Sequence, residues 1–99
     1  MVVAQIFAGG GGYVLPIRSA YDCELLIHAL QHFLRDREVV AVRLDRVLHE
    51  VRRTSPGTRC SLCQQGTHGV VWGNGHPFLC TRCACEKLPA ARRVLAKAA

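Results

Sequence analysis

The sequence predicts an α+β fold: an N-terminal β-hairpin followed by two helices, then a small hairpin-plus-helix unit stapled by four cysteines. Three observations carry that expectation. Two β-rich runs, Val2 to Phe7 and Tyr13 to Ile17, flank the stretch Ala8-Gly9-Gly10-Gly11-Gly12. Apolar residues recur at helical spacing from Leu25 to Leu34 and again from Val39 to Val51. Two Cys-x-x-Cys pairs, Cys60-Ser61-Leu62-Cys63 and Cys80-Thr81-Arg82-Cys83, stand with sixteen residues between them.

Taken in chain order, the first two runs read as strands of a hairpin whose tip is the glycine stretch. A phosphate-binding loop would need Lys-Ser/Thr and a helix start after the glycines, whereas Tyr13-Val14-Leu15-Pro16 continues as strand. Ser19 or Asp22 then caps a helix, with Asp22 and Glu24 placed in its first turn and Leu25, Leu26, Ala29, Leu30, Phe33 and Leu34 along one side. The apolar pattern resumes after Asp36-Arg37-Glu38. Leu26, Phe33, Val40 and Val47 fall on one heptad seam, and Leu30, Leu44 and Val51 on the other, which predicts a second helix joined to the first near Arg37. The β-branched run Val39-Val40-Ala41-Val42 leaves a strand open there, because alternation over four residues fits either period.

Arg52-Arg53-Thr54-Ser55-Pro56-Gly57-Thr58 ends the helical pattern, since Pro and Gly stop helices and turn chains. The expected organisation is therefore residues 1–53 as a hairpin and helical unit, 54–59 as a linker, and 60–99 as a metal-binding module. Within the module, Val70-Val71-Trp72 and Pro77-Phe78-Leu79 read as strands around the turn Gly73-Asn74-Gly75. Pro89 to Lys97 is Ala-rich and reads as a terminal helix with Pro at a first helical position.

The chemistry of the cysteines is specific. Each Cys-x-x-Cys can bend its backbone to aim two sulfurs at one point, and the intervening stretch is long enough for a hairpin that returns the second pair to the first. Cys60, Cys63, Cys80 and Cys83 are thus the expected ligands of a structural Zn²⁺. A chain of 99 residues buries a modest core, so a metal staple suits it. Knuckle, hairpin, knuckle and helix is a treble-clef order; a zinc ribbon would place a second hairpin after Cys83. Cys85 reads as a small side chain packed near the knuckle and Cys23 as a buried or half-buried thiol, while the five histidines receive no role.

Charge is uneven. Residues 1–50 hold five Arg against six acids, net −1, and residues 51–99 hold eight Lys and Arg against Glu86 alone, net +7. Four thiolates with one Zn²⁺ lower the formal total from +6 to +4, so composition overstates the case for nucleic acid. Met1 to Phe7 carries no basic residue and no apolar run approaches the roughly 20 residues of a membrane helix, which together predict a cytoplasmic protein without a membrane span.

Cys60-Ser61-Leu62-Cys63-Gln64, the Gly-Asn-Gly turn and Phe78-Leu79-Cys80-Thr81-Arg82-Cys83 resemble the zinc-binding domain that precedes the ATPase of the protein unfoldase ClpX, over residues 59–88. The resemblance implies a small treble clef, zinc on the four cysteines, dimerisation, and recruitment of adaptors or substrates. Pro89 falls where that family's helix runs on, so the helix is expected to be short or to start late. Leu79 to Lys87 also faintly resembles the closing knuckle of zinc-stapled HNH nucleases, with His68, Asn74 and His76 of the right types in a shorter insert.

The functional expectation is a zinc-binding adaptor or regulator that recognises a protein partner and is not an enzyme, since no catalytic triad, paired acids or open three-ligand metal site is visible. The alternative is a nucleic-acid-binding regulator contacting phosphates through Arg82, Lys87, Arg92 and Arg93. A third reading is a degenerate HNH-like nuclease. The many Val, Leu and Ile of the first half predict a homodimer formed through it.

Overall fold

A computed structural model describes residues 2–9, 11–44, 46–55, 57–73 and 79–86. The first hairpin forms as expected: β1 (Val2–Ala8) and β2 (Gly11–Ile17) pair antiparallel from Val2↔Ile17 to Ala8↔Gly11. The two-residue turn starts at Gly9, whose φ of +46° lies in the left-handed region. A Cβ there would sit 2.6 Å from a guanidinium nitrogen of Arg37, the free end of a flexible side chain that can shift, so it is the backbone conformation that favours glycine.

Helix α1 (Ala20–Phe33) begins where the capping residues stand. The Ser19 hydroxyl accepts the Asp22 N–H at 3.4 Å, satisfying a donor that the first helical turn leaves over, and the Asp22 carboxylate reaches back to accept the N–H of Arg18, ahead of the cap, at 3.0 Å. Its apolar stripe Leu26 and Leu30, continued by Leu34 at the C-cap, is buried.

The second expected helix is not there. Residues 39–53 form a hairpin, β3 (Val39–Leu44) and β4 (Val47–Arg53), paired from Val39↔Arg52 to Leu44↔Val47. The reason is arithmetic. Val40, Val42 and Leu44 point to the core with period two, and the two-residue turn adds a step of three before Val47, His49 and Val51 resume it. That odd step gives 40, 44, 47 and 51 the spacing of a helical seam. The helical reading leaves Val42 off the seam, yet Val42 is fully buried, because β3 also pairs with β1 (Ile6↔Val42). The turn carries Arg46 at φ 73° where hairpins favour Asn-Gly, so its sequence gave no turn signal.

The third hairpin is described in part. β5 (Val70–Trp72) pairs with β4 through Val51↔Trp72, Arg52↔Val71 and Arg53↔Val70, and Trp72 bridges Leu79. The expected turn residues Asn74 and Gly75, the strand residues Pro77 and Phe78, and the terminal helix Pro89 to Lys97 lie outside the described residues. A short helix, α2 (Thr81–Glu86), begins within the second Cys-x-x-Cys, well before the helix start expected at Pro89.

The result is a five-stranded antiparallel sheet in the order β2-β1-β3-β4-β5, with α1 on one face. Ala4, Ile6, Val40, Val42, Leu44, Val51 and Trp72 from the sheet join Leu26 and Leu30 of α1 and Leu34 at its C-cap in one buried cluster, which continues into Cys60, Cys80, Cys83 and Ala84. The segment 54–59 therefore connects parts that share a core. None of the described helices is long and apolar enough to cross a membrane.

Candidate metal centre

The first pair sits at the tip of a small ladder. Thr67 N–H donates to Thr58 O (3.1 Å), Arg59 bridges Gly66, and Cys60 N–H donates to Gln65 O (2.8 Å), while Gln64 N–H closes the tip onto Cys60 O (3.0 Å). Thr54 and Thr58 tie this ladder to the end of β4 through a hydroxyl contact of 3.1 Å, and Thr54 N–H reaches Gly69 O at 2.8 Å. The knuckle is thus seated on the sheet. It carries one strained residue: Gln64 holds φ 63°, a conformation that costs a side-chain-bearing residue on the order of 1–2 kcal/mol. Gln64→Gly is expected to raise the stability of the metal-loaded protein by about 1 kcal/mol, read as a shift in the urea midpoint with unchanged slope.

The second pair is placed by α2. Cys80 precedes the helix and Cys83 lies in its first turn, so one turn of backbone turns both sulfurs to the same side. Trp72 fixes this turn: its indole N–H donates to Thr81 Oγ1 at 2.9 Å, and its backbone N–H donates to Leu79 O at 3.1 Å. The strand that follows the first knuckle therefore delivers the second one.

The Sγ atoms of Cys60, Cys63, Cys80 and Cys83 all lie within 4.8 Å of one another, with Cys63 and Cys80 at 3.7 Å. An ion bound to four sulfurs at about 2.3 Å in a tetrahedron spaces them by about 3.8 Å. The expected ligand set is brought together, and its donor chemistry and spacing fit a Zn²⁺-like ion. All six cysteines are free thiols. Leu62 N–H points at Cys60 Sγ (3.4 Å) and Cys83 N–H at Cys80 Sγ (3.5 Å), partial positive charges aimed where thiolates would stand.

These surroundings divide the four thiols. Burial works against a Cys60 thiolate, but the surrounding N–H groups of Cys63, Cys80 and Leu62 outweigh it and lower its pKa to about 6. Burial raises Cys80 and Cys83, and for Cys83 neighbouring thiols push further in the same direction. Cys60 is thus favoured as thiolate and Cys80 and Cys83 as thiols, and a bound cation would supply the charge that lets the latter two ionise.

Behind the centre, α1 meets α2. Glu24 and Arg82 form an ion pair, whose guanidinium lowers the Glu24 carboxyl below its ordinary value. Cys23 and Cys85, both buried, share a hydrogen bond that lowers Cys23 and raises Cys85. Cys85 is thus packed against α1 and not a member of the four-sulfur cluster. This junction had no signal in the sequence, since neither pairing follows from spacing.

A cavity of about 310 Å³ opens beside the metal centre, lined among others by Ile27, Cys63, Gln65, His68, Cys80 and Arg82. His68 stands at its wall with φ 56°, and its backbone carbonyl accepts the Gln31 side-chain amide at 2.8 Å. Of the basic residues expected to meet phosphates, Arg82 is the one described, and it is engaged with Glu24; Lys87, Arg92 and Arg93 lie outside the described residues, as does His76. Comparison of the chain with protein-family models, with curated proteins and with solved structures finds no match in any of the three.

Proposed function

We propose that the chain is a small zinc-binding interaction module, in which Zn²⁺ on Cys60, Cys63, Cys80 and Cys83 organises a treble-clef unit that recognises a protein partner. The observation that carries this reading is the closed donor set: four sulfurs within 4.8 Å take every position of a tetrahedral ion, leaving none for substrate or activated water. Such a site is structural and leaves no open position for chemistry at the ion, which supports the reading of an interaction module. The treble-clef reading is supported by the ladder at Thr58 to Thr67 with its knuckle, the strand β5 bridged to Leu79, and the helix that starts between Cys80 and Cys83.

The surface beside the metal suits a peptide. Leu62 in the knuckle has 49% of its surface exposed, and its chain neighbour, the half-buried Cys63, lines the cavity. An apolar knob next to a concavity is the arrangement that anchors a partner's side chain. A nucleic-acid surface is favoured less, because Arg82 already spends its charge on Glu24.

The test is affinity capture with the zinc-loaded chain, its Leu62→Glu variant and its Cys60→Ser variant, with identification and quantitation of what is retained. A protein partner should be lost about tenfold or more with Leu62→Glu while one zinc per chain remains, and should withstand moderate salt. Retention that instead collapses steeply with salt and consists of nucleic acid would establish the regulator reading.

A further inference from the structure

We infer that β2 is the interface of a symmetric homodimer, formed by antiparallel pairing of β2 with β2 of a second copy about a two-fold axis at Val14. The inference concerns the sheet edge and stands apart from the metal-centred reading. It names the surface for the self-association that the apolar N-terminal half predicts.

The sheet order β2-β1-β3-β4-β5 leaves the outer side of β2 without a neighbouring strand among the described residues. Which groups face outward follows from the register. The turn between Ala8 and Gly11 has two residues, so these flanking residues form the hydrogen-bonded pair that closes the hairpin. Counting in steps of two, Tyr13, Leu15 and Ile17 direct their backbone groups to β1, and Gly12, Val14 and Pro16 direct theirs outward. Pro16 provides an independent check: it has no N–H, and it falls at an outward position, where no bond to β1 is forfeited.

Of the devices that keep strands apart, the edge carries one, Pro16, near its end. No residue from Gly11 to Ile17 is charged, and Gly11, Gly12, Tyr13 and Val14 are exposed, Val14 by 64%. An uncharged edge strand of seven residues, its first four exposed, pairs with another strand unless something covers it. A second copy fits in one register with particular economy. With Val14 opposite its own symmetry mate, Val14 N–H groups bond each other's carbonyls and Gly12 N–H groups bond the Pro16 carbonyls. Every outward N–H is satisfied, and the missing donor of Pro16 leaves no donor unpaired.

Side chains agree with this register. Gly11 meets Ile17, Gly12 meets Pro16 and Tyr13 meets Leu15, so small residues face larger ones and an aromatic faces an aliphatic. No like charges meet across the axis. The contact is isologous and closes on itself, and the two five-stranded sheets become one continuous sheet. A single strand pair is a small interface, so the dimer is expected in the micromolar class.

The experiment is sedimentation equilibrium of the zinc-loaded chain from roughly 1 µM to 1 mM, compared with Val14→Pro and Val14→Cys. Proline at 14 removes only an outward donor and spares the β1 ladder, as Pro16 does, so a folded variant with dimerisation weakened at least about tenfold is expected. In Val14→Cys the two sulfurs flank the axis on Cα atoms about 5.5 Å apart, within disulfide reach, and oxidised glutathione should link V14C peptides of two chains to each other. A chain that stays monomeric throughout the range overturns the inference. So does a dimer that Val14→Pro leaves intact, or one whose V14C peptides do not cross-link.

Discussion

Stripping the metal with a chelator, or replacing Cys83 with serine, is expected to unfold the described residues 58–73 and 79–86 and to cost the chain on the order of 10 kcal/mol. That figure is as large as the whole stability of a typical small domain, roughly 5–15 kcal/mol, so the part built around the sulfurs is not expected to stay folded without the ion. Cys60, Cys80 and Cys83 are themselves members of the buried cluster that holds Leu26, Val51 and Trp72. With the ion gone, thiols replace thiolates at the centre of that cluster, the knuckle N–H groups lose their charged acceptors, and α2, at six residues, is too short to persist by itself. Emission of the single tryptophan should shift to the red as Trp72 meets water, and amide exchange should accelerate from Thr58 to Glu86 while α1 and β1 to β3 keep more protection. Unchanged emission and exchange after complete removal of the metal would show that the sulfurs do not organise this half.

The same centre sets a proton count. With its pKa lowered to about 6, Cys60 is already thiolate at pH 7.5 and gives up little when the metal arrives, whereas Cys80 and Cys83, both raised, must release theirs. Zinc binding at pH 7.5 is therefore expected to liberate fewer than four protons, measured by titration in two buffers of different ionisation enthalpy. Acid works in the opposite direction. As pH falls through about 6, Cys60 also takes a proton, one more proton competes with the ion, and affinity should fall more steeply with pH below that point than above it.

The parts of this architecture that were legible are those where one residue type has one job. The ligand set needed only the spacing of Cys60, Cys63, Cys80 and Cys83, because a thiolate quartet has few alternative uses. The first hairpin was legible because glycines mark its turn, and α1 because Ser19 and Asp22 mark its start. Residues 39–53 were not, for the converse reason. A hairpin with a two-residue turn and a helix place apolar residues at the same positions, and Arg46, held at φ 73°, hides the turn that would have separated them. Pairing with β1 decides in favour of strands, and pairing partners are not a local property of sequence. The junction of α1 with α2 was hidden in the same way: Glu24 with Arg82, and Cys23 with Cys85, are far apart in the chain and ordinary in type. Each residue was visible, but its neighbour was not.

Trp72 is where these separately folded pieces are made to agree, and its removal has the second-largest expected effect. It is fully buried, pairs with Val51 in the sheet, meets the His49 ring edge-on at 5.7 Å, and bonds Thr81 at the head of α2 through its indole N–H. Trp72→Ala empties a large volume next to Cys80 and Cys83, with an expected cost of about 3–5 kcal/mol in the metal-loaded protein. Two subtler variants separate packing from the hydrogen bond. Thr81→Val leaves the buried indole donor without its acceptor and should cost about 1–3 kcal/mol; Trp72→Phe removes the donor together with part of the ring. If the bond is what locks α2 to the sheet, Thr81→Val should cost far less in the Trp72→Phe background, because the donor it would orphan is already gone. The double variant should then fall short of the summed single effects by about 1 kcal/mol or more, read from denaturant midpoints followed by circular dichroism. Additive costs would mean that Trp72 acts on the metal centre through its volume alone.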